Sequence, residues 1–121
     1  MAQNVQMTWE DQQNINKFGR FHTRTKEIEV ELDVLKGQLE VMNDGLTDIE
    51  NLLDDDAVKV KIGEIYFEGS NDDGMELMKK CIQRKKDEMD ALHKENEKLE
   101  EDLAELKKTL YGKFGDSIRL E

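Results

Sequence analysis

Apolar residues recur along this chain at alternating gaps of three and four through two long stretches, and the rhythm changes only in the segment between them. The first stretch runs Phe18, Phe21, Ile28, Leu32, Leu35, Leu39, Met42, Leu46, Ile49, Leu53, with Thr25 as a polar break. The second runs Met75, Met78, Ile82, Met89, Leu92, Leu99, Leu103, Leu106, Leu110, with Lys85 and Asn96 at two seam positions. A repeat averaging 3.5 residues puts one narrow apolar stripe on a helix and predicts a coiled coil. Each arm of about 36 residues would be roughly 54 Å long at 1.5 Å per residue. Only residues 54–74 separate the arms, so the chain is expected to fold back as an antiparallel helical hairpin with both termini at one end.

The joining segment has a period of two. Val58-Lys59-Val60-Lys61-Ile62 alternates apolar and basic, and Ile65-Tyr66-Phe67-Glu68 follows after Gly63-Glu64. Two β-rich runs separated by two residues, glycine first, predict a β-hairpin over residues 57–68 with a type II′ turn. A lone hairpin is marginal in water, and both of its edges are unpaired, so it calls for strands from other chains.

Capping chemistry sets the limits of the helices. Thr8 before Trp9-Glu10-Asp11 predicts an N-cap with acids in the first turn, facing the positive end of the helix dipole. The first helix is then expected over residues 8–53, stopped by Asp54, Asp55 and Asp56. Ser70 with Asp73 predicts the cap of a second helix over 71–114, closed by Gly115 in the left-handed conformation, with 115–121 as a C-terminal tail. Gly19, Gly37 and Gly45 inside the first helix each cost about 1 kcal/mol relative to alanine, which only tertiary pairing offsets. Asn96 has two readings: a wet edge of the seam, or a buried polar group that sets register.

Composition narrows the class further. Of 121 residues, 36% are hydrophobic and 39% charged, and there is no proline. Such a chain suits long solvated helices and leaves no core in which to build an enzyme's cavity. The fold class is therefore mainly α, a single domain: a long antiparallel two-helix coiled coil with one β-hairpin at the helix junction. A net charge of -11 argues against nucleic acid as a partner and against an anionic membrane surface. Within it, the basic cluster Lys79, Lys80, Arg84, Lys85, Lys86 would lie beside Asp44, Asp48 and Glu50 in an antiparallel pair. Cys81 is the single cysteine, so no disulfide framework exists, and no window has the length of a membrane span or signal peptide. A reducing, soluble, cytoplasmic setting follows. His22 and His93 lie on different arms without a metal-spaced partner, and the aspartate run lacks a calcium loop's spacing. No enzyme activity, cofactor or metal is expected.

Three stretches carry a resemblance: Met7-Thr-Trp-Glu-Asp-Gln-Gln-Asn-Ile-Asn-Lys-Phe18, Asp54-Asp-Asp-Ala-Val-Lys-Val-Lys-Ile-Gly-Glu-Ile-Tyr-Phe67, and Leu110-Tyr-Gly-Lys-Phe-Gly-Asp-Ser-Ile-Arg-Leu-Glu121. With them the chain resembles the eukaryotic beta-class prefoldins over essentially everything after residue 6. That resemblance implies a subunit of an ATP-independent hetero-hexameric co-chaperone of two alpha-class and four beta-class subunits, with the hairpins joined in an intersubunit β-barrel. It implies that the coiled-coil tips hold unfolded chains, actin and tubulin among them, and pass them to the cytosolic group II chaperonin. Assembly would then fall to Val58, Val60, Ile62, Ile65, Tyr66 and Phe67. The client-binding tip would be Trp9, Ile15, Phe18, Phe21, Leu110, Tyr111, Phe114, Ile118 and Leu120. Six of these nine (Trp9, Ile15, Tyr111, Phe114, Ile118, Leu120) lie off the seam, where a helix pair offers little cover. The alternative is a structural or tethering coiled coil that dimerises through its hairpin and has no client.

Overall fold

The computed structural model describes residues 6–52 and 57–120. The elements follow the order α1 (Trp9–Glu50), β1 (Ala57–Ile62), β2 (Ile65–Ser70) and α2 (Asn71–Phe114), and a 3₁₀ turn, Gly115–Ser117, ends the series. They group into two compact units. One, here the junction unit, is Leu32–Ala91; the other, the terminal unit, comprises Met1–Glu31 and Leu92–Glu121.

Helix α1 opens on a reciprocal box. The Thr8 amide donates to Asp11 Oδ2 at 3.0 Å and the Asp11 amide donates to Thr8 Oγ1 at 3.1 Å. An aspartate thus does what glutamate or glutamine does in the usual capping box. The helix closes at Glu50, short of the expected residue 53. Its ladder runs out as the Asn51 amide bonds the Thr47 carbonyl and the Leu52 amide turns to the nearer Ile49 carbonyl. No basic residue occupies that last turn, so nothing offsets the negative end of the dipole there. Leu53 and the proposed stop at Asp54, Asp55 and Asp56 lie outside the described residues.

Every described seam residue of both arms is buried or half-buried, including Thr25, Lys85 and Asn96. Val30, Val34 and Val41, off the seam on α1, stand exposed. Within the terminal unit Asp11 meets Lys113 and Arg24 meets Glu95, so partners descend along α2 as they ascend along α1. The arms there are antiparallel. Asn96 donates to Glu100 Oε1 on its own helix, and Thr25 likewise bonds back to the His22 carbonyl. Of the two readings of Asn96, this places it at a wet edge rather than in a register-setting bond across the seam. The expected pairing of the basic cluster with Asp44, Asp48 and Glu50 is also not found among the described residues. Lys80 instead pairs with Glu76 and Lys85 with Glu88 along their own helix, because neighbours three and four apart meet at lower entropic cost.

The hairpin is antiparallel, from Ala57 opposite Ser70 to Ile62 opposite Ile65. Gly63 has φ +58 and no other residue of the turn has positive φ, which is the type II′ rather than the I′ signature. β2 runs two residues beyond the expected 68, to Ser70, whose Oγ then accepts the Asp73 amide at 3.2 Å and caps α2. Strand and helix therefore share a boundary. Val58, Val60, Met42, Ile49, Met78, Cys81 and Ile82 form the buried cluster of the junction unit, with Ile62 and Phe67 packed against it. Gly74, in the first turn of α2, lies under β1 so closely that a Cβ there would sit 2.5 Å from Val58 Cγ2.

Two glycine replacements should separate propensity from packing. Gly37 faces open space, so Gly37→Ala should stabilise the chain by about 0.5–1 kcal/mol through helix propensity. Gly74→Ala should destabilise it by about 1–3 kcal/mol through overpacking against Val58. Urea unfolding followed by circular dichroism measures both; equal responses at the two sites would refute the close packing.

Candidate functional site

Two surfaces emerge, one in each unit. In the junction unit the hairpin has unlike faces. Val58, Val60 and Ile62 alternate with Lys59 and Lys61 along β1, and cross-strand pairing places Phe67 beside Val60 and Tyr66 beside Lys61. The apolar face closes over the ends of the helices, so Val58 and Val60 are buried within this chain and Ile62 and Phe67 half-buried. Ile65 and Tyr66 remain exposed, at 46% and 59%. The Tyr66 hydroxyl donates to Glu68 Oε2 at 3.1 Å, and local desolvation together with that carboxylate pushes its ionisation above the usual phenol range. A groove of about 980 Å³ opens beside the hairpin, with Val41, Met42, Ile49 and Val60 among its apolar lining and Lys59, Arg84 and Lys85 among its cations.

In the terminal unit Phe18, Leu110, Phe114 and Leu120 form a buried cluster, with Ile15, Leu103, Leu106, Tyr111 and Ile118 packed against it. Little cover was expected for the six off-seam residues. That holds for Trp9, which is 78% exposed, but not for Phe114 or Leu120, which are buried, nor for Ile15, Tyr111 and Ile118, which are half-buried. The cause is the tail. After Gly115 turns the chain with φ +56, Ile118 and Leu120 fold back onto the helices, and the Leu120 amide donates to the Tyr111 hydroxyl at 3.1 Å. Phe21 is half-buried on the seam.

Charged contacts hold this unit's helices in register. Asp11 Oδ2, already part of the cap, also takes the Lys113 ammonium, which lies 5.6 Å from the Phe114 ring centroid, within cation–π range. Lys113 stands in the last turn of α2, where the dipole favours a cation. Arg24 grips Glu95 with both arms of its guanidinium, Nε to Oε2 at 2.5 Å and Nη2 to Oε1 at 3.0 Å, while Nη1 reaches Glu27 and Glu31. The Lys113 bond and then the Thr8 amide hold the Asp11 carboxyl below the usual carboxylate range, and Arg24 does the same for Glu95. Heptad reading passed over Asp11, Arg24, Glu95 and Lys113 because they flank the seam rather than fill it.

No group of three or more His, Cys, Asp or Glu among the described residues could hold a metal ion, and no described helix is long and apolar enough to cross a membrane.

A family model described as "Prefoldin subunit" matches residues 12–117. The chain belongs to the prefoldin subunit family. It is 38% identical to prefoldin subunit 4 of Homo sapiens, across 99% of this chain and 90% of that one, and equally similar to its Bos taurus counterpart. Prefoldin subunit 4 of Saccharomyces cerevisiae is 31% identical, with 98% and 92% covered. The solved prefoldin beta subunit from Thermococcus strain KS-1 shares the fold, with a TM-score of 0.76 over 94% of this chain and 98% of that one at 20% identity. Within this prefoldin fold, the heptad arms supply the two helices and the type II′ hairpin joins them.

The lowered carboxylates make the terminal unit of this prefoldin subunit acid-sensitive. A carboxyl whose folded pKa is depressed contributes stability above its unfolded pKa, and that contribution is lost as pH falls through the folded pKa. Thermal unfolding should therefore shift to lower temperature as pH falls from 7 toward 3. Asp11→Asn should lower the midpoint at pH 7 and flatten the acid limb. An unchanged acid limb would show that the Asp11–Lys113 bond carries no stability.

Proposed function

We propose that this prefoldin subunit is a beta-class member of an ATP-independent hetero-hexameric co-chaperone, built from two alpha-class and four beta-class subunits. In this reading its hairpin enters an intersubunit β-barrel, and its terminal apolar residues hold unfolded polypeptides of the actin and tubulin class for delivery to the cytosolic group II chaperonin. The observation that carries it is the two-stranded sheet, whose outer edges have no strand partner among the described residues while Ile65 and Tyr66 stand exposed beside them. An unpaired edge of this kind takes up strands from another chain. Family membership over residues 12–117 supports the same reading, and Trp9 supplies an exposed apolar contact in the terminal unit.

Assembly and capture separate by mutation. Ile62 and Phe67 pack against this chain's own cluster, so changing them confuses folding with assembly; Ile65 and Tyr66 do not have that defect. Ile65→Asp with Tyr66→Asp should keep the chain helical by circular dichroism yet exclude it from the complex, because a charge buried without a partner at an interface costs several kcal/mol. Recovery of the double variant in a full complex on size exclusion with light scattering would remove the hairpin from assembly.

Trp9→Ser should leave assembly intact and reduce suppression of denatured-actin aggregation, more strongly when the other subunits' termini are trimmed as well. A trimmed complex that still holds actin as well as the wild type would place the client contacts elsewhere, and a complex that never suppresses aggregation would favour a tethering coiled coil.

A further inference from the structure

The tail that closes the terminal unit is itself seated as a bound peptide would be. Beyond the 3₁₀ turn the backbone at Ile118 is extended, with φ -129 and ψ 145. In an extended chain, residues two apart point to the same side. Ile118 and Leu120 both pack into the apolar cluster while Arg119 between them is exposed. Leu120 is as buried as the helix residues it touches, at 4% exposure. The bond from its amide to the Tyr111 hydroxyl is the kind a side chain offers to any passing backbone, whatever the residue that carries it.

We infer that the surface formed by Phe18, Leu110, Phe114 and the Tyr111 hydroxyl is a binding site for an extended polypeptide segment with apolar residues two positions apart, and that residues 118–120 occupy it as an internal ligand. The inference deepens the proposed function: it rests on the reading that the terminal unit holds unfolded chains, and it states what such a chain must present. Recognition by two apolar side chains and one backbone amide demands almost nothing of the ligand's sequence, which suits unfolded polypeptides in general. A tethered occupant competes at an effective concentration on the order of millimolar. A client segment therefore displaces the tail only when it is held nearby by further contacts, as a long unfolded chain is and a short folded loop is not. The exposed Trp9 belongs to the same unit and is free to make such a contact before the tail leaves. The tail thus sets a threshold, keeping the cluster covered until a chain with several apolar segments arrives.

The test uses the full-length chain and a labelled synthetic peptide of sequence Gly-Asp-Ser-Ile-Arg-Leu, with Gly-Asp-Ser-Ser-Arg-Ser as its control. Peptide binding is read by fluorescence anisotropy, and opening of the tail by hydrogen exchange at the Leu120 amide in NMR. Tyr111→Phe removes the acceptor from tail and peptide alike and keeps the ring, so it should speed Leu120 exchange about two- to tenfold, the range set by one hydrogen bond, while leaving the apparent peptide affinity about unchanged. Ile118→Ser with Leu120→Ser weakens the occupant and leaves the site whole, so it should tighten peptide binding about tenfold or more, and the control peptide should bind neither variant. Saturating peptide should accelerate Leu120 exchange in the wild-type chain. If the double variant keeps its helicity and binds the peptide no more tightly than the wild type, the tail is a structural closure and the inference falls. Should the double variant lose helicity, the wild-type chain decides: saturating peptide that leaves Leu120 exchange unchanged overturns the inference equally. Peptide uptake by a complex that suppresses no aggregation would leave this site standing and overturn the client reading instead.

Discussion

Everything in this molecule depends on pairing two apolar stripes that neither helix can shelter alone. With 39% of its residues charged, the chain has few groups to withdraw from water, and most of those its helices bury lie on the heptad stripes. An isolated helix with Gly19, Gly37 and Gly45 in its interior would fray, since helix formation in water is marginal even for good formers. The seam reverses that balance by burying Ile28, Leu35, Met42 and Ile49 at intervals of seven. Charged residues then do not hold the helices together so much as choose how they slide. A bidentate Arg24–Glu95 contact and the Asp11–Lys113 contact are satisfied in one alignment and broken by a shift of one turn.

Asp11 shows how closely local and tertiary structure are joined. Its carboxylate completes the cap of α1 and receives a cation from the last turn of α2, so the start of one helix and the end of the other are secured by the same oxygen, Oδ2. A bundle end closed in this way exposes little apolar surface except Trp9 and Met7. The remainder sits beneath six residues of chain. On the proposed reading, in which this subunit holds unfolded polypeptides, access to the apolar cluster is a matter of local opening at the terminus, which leaves the paired helices intact.

Much of this was legible in the sequence, for identifiable reasons. The seam from Phe18 to Leu110 was readable because burial on a helix has a period and the residues keep it. The turn at Gly63-Glu64 and the caps at Thr8, Ser70 and Gly115 were readable because each rests on chemistry within three or four residues. What escaped depends on contacts distant in sequence. Nothing local in Ile118-Arg119-Leu120 announces that it will fold onto Phe18, one hundred positions earlier, so its residues looked uncovered. Likewise Val58 and Val60 looked like an interface with other chains, yet part of their apolar face is satisfied by Met78 and Cys81 of the same chain. The ion pairs were misjudged for a third reason: Lys80 and Lys85 have acidic neighbours one turn away, and the nearer partner wins.

Ser70 ends β2 and caps α2, and no residue stands between the strand and the helix. With Gly74 lodged under Val58, the junction also has no slack in the perpendicular direction. A pull applied along β2 therefore reaches α2 as tension in the backbone itself, with no linker to stretch and no hinge to absorb a twist. Mechanically, the hairpin is a rigid handle on the second helix, and whatever grips its strands sets the heading of that helix's first turn.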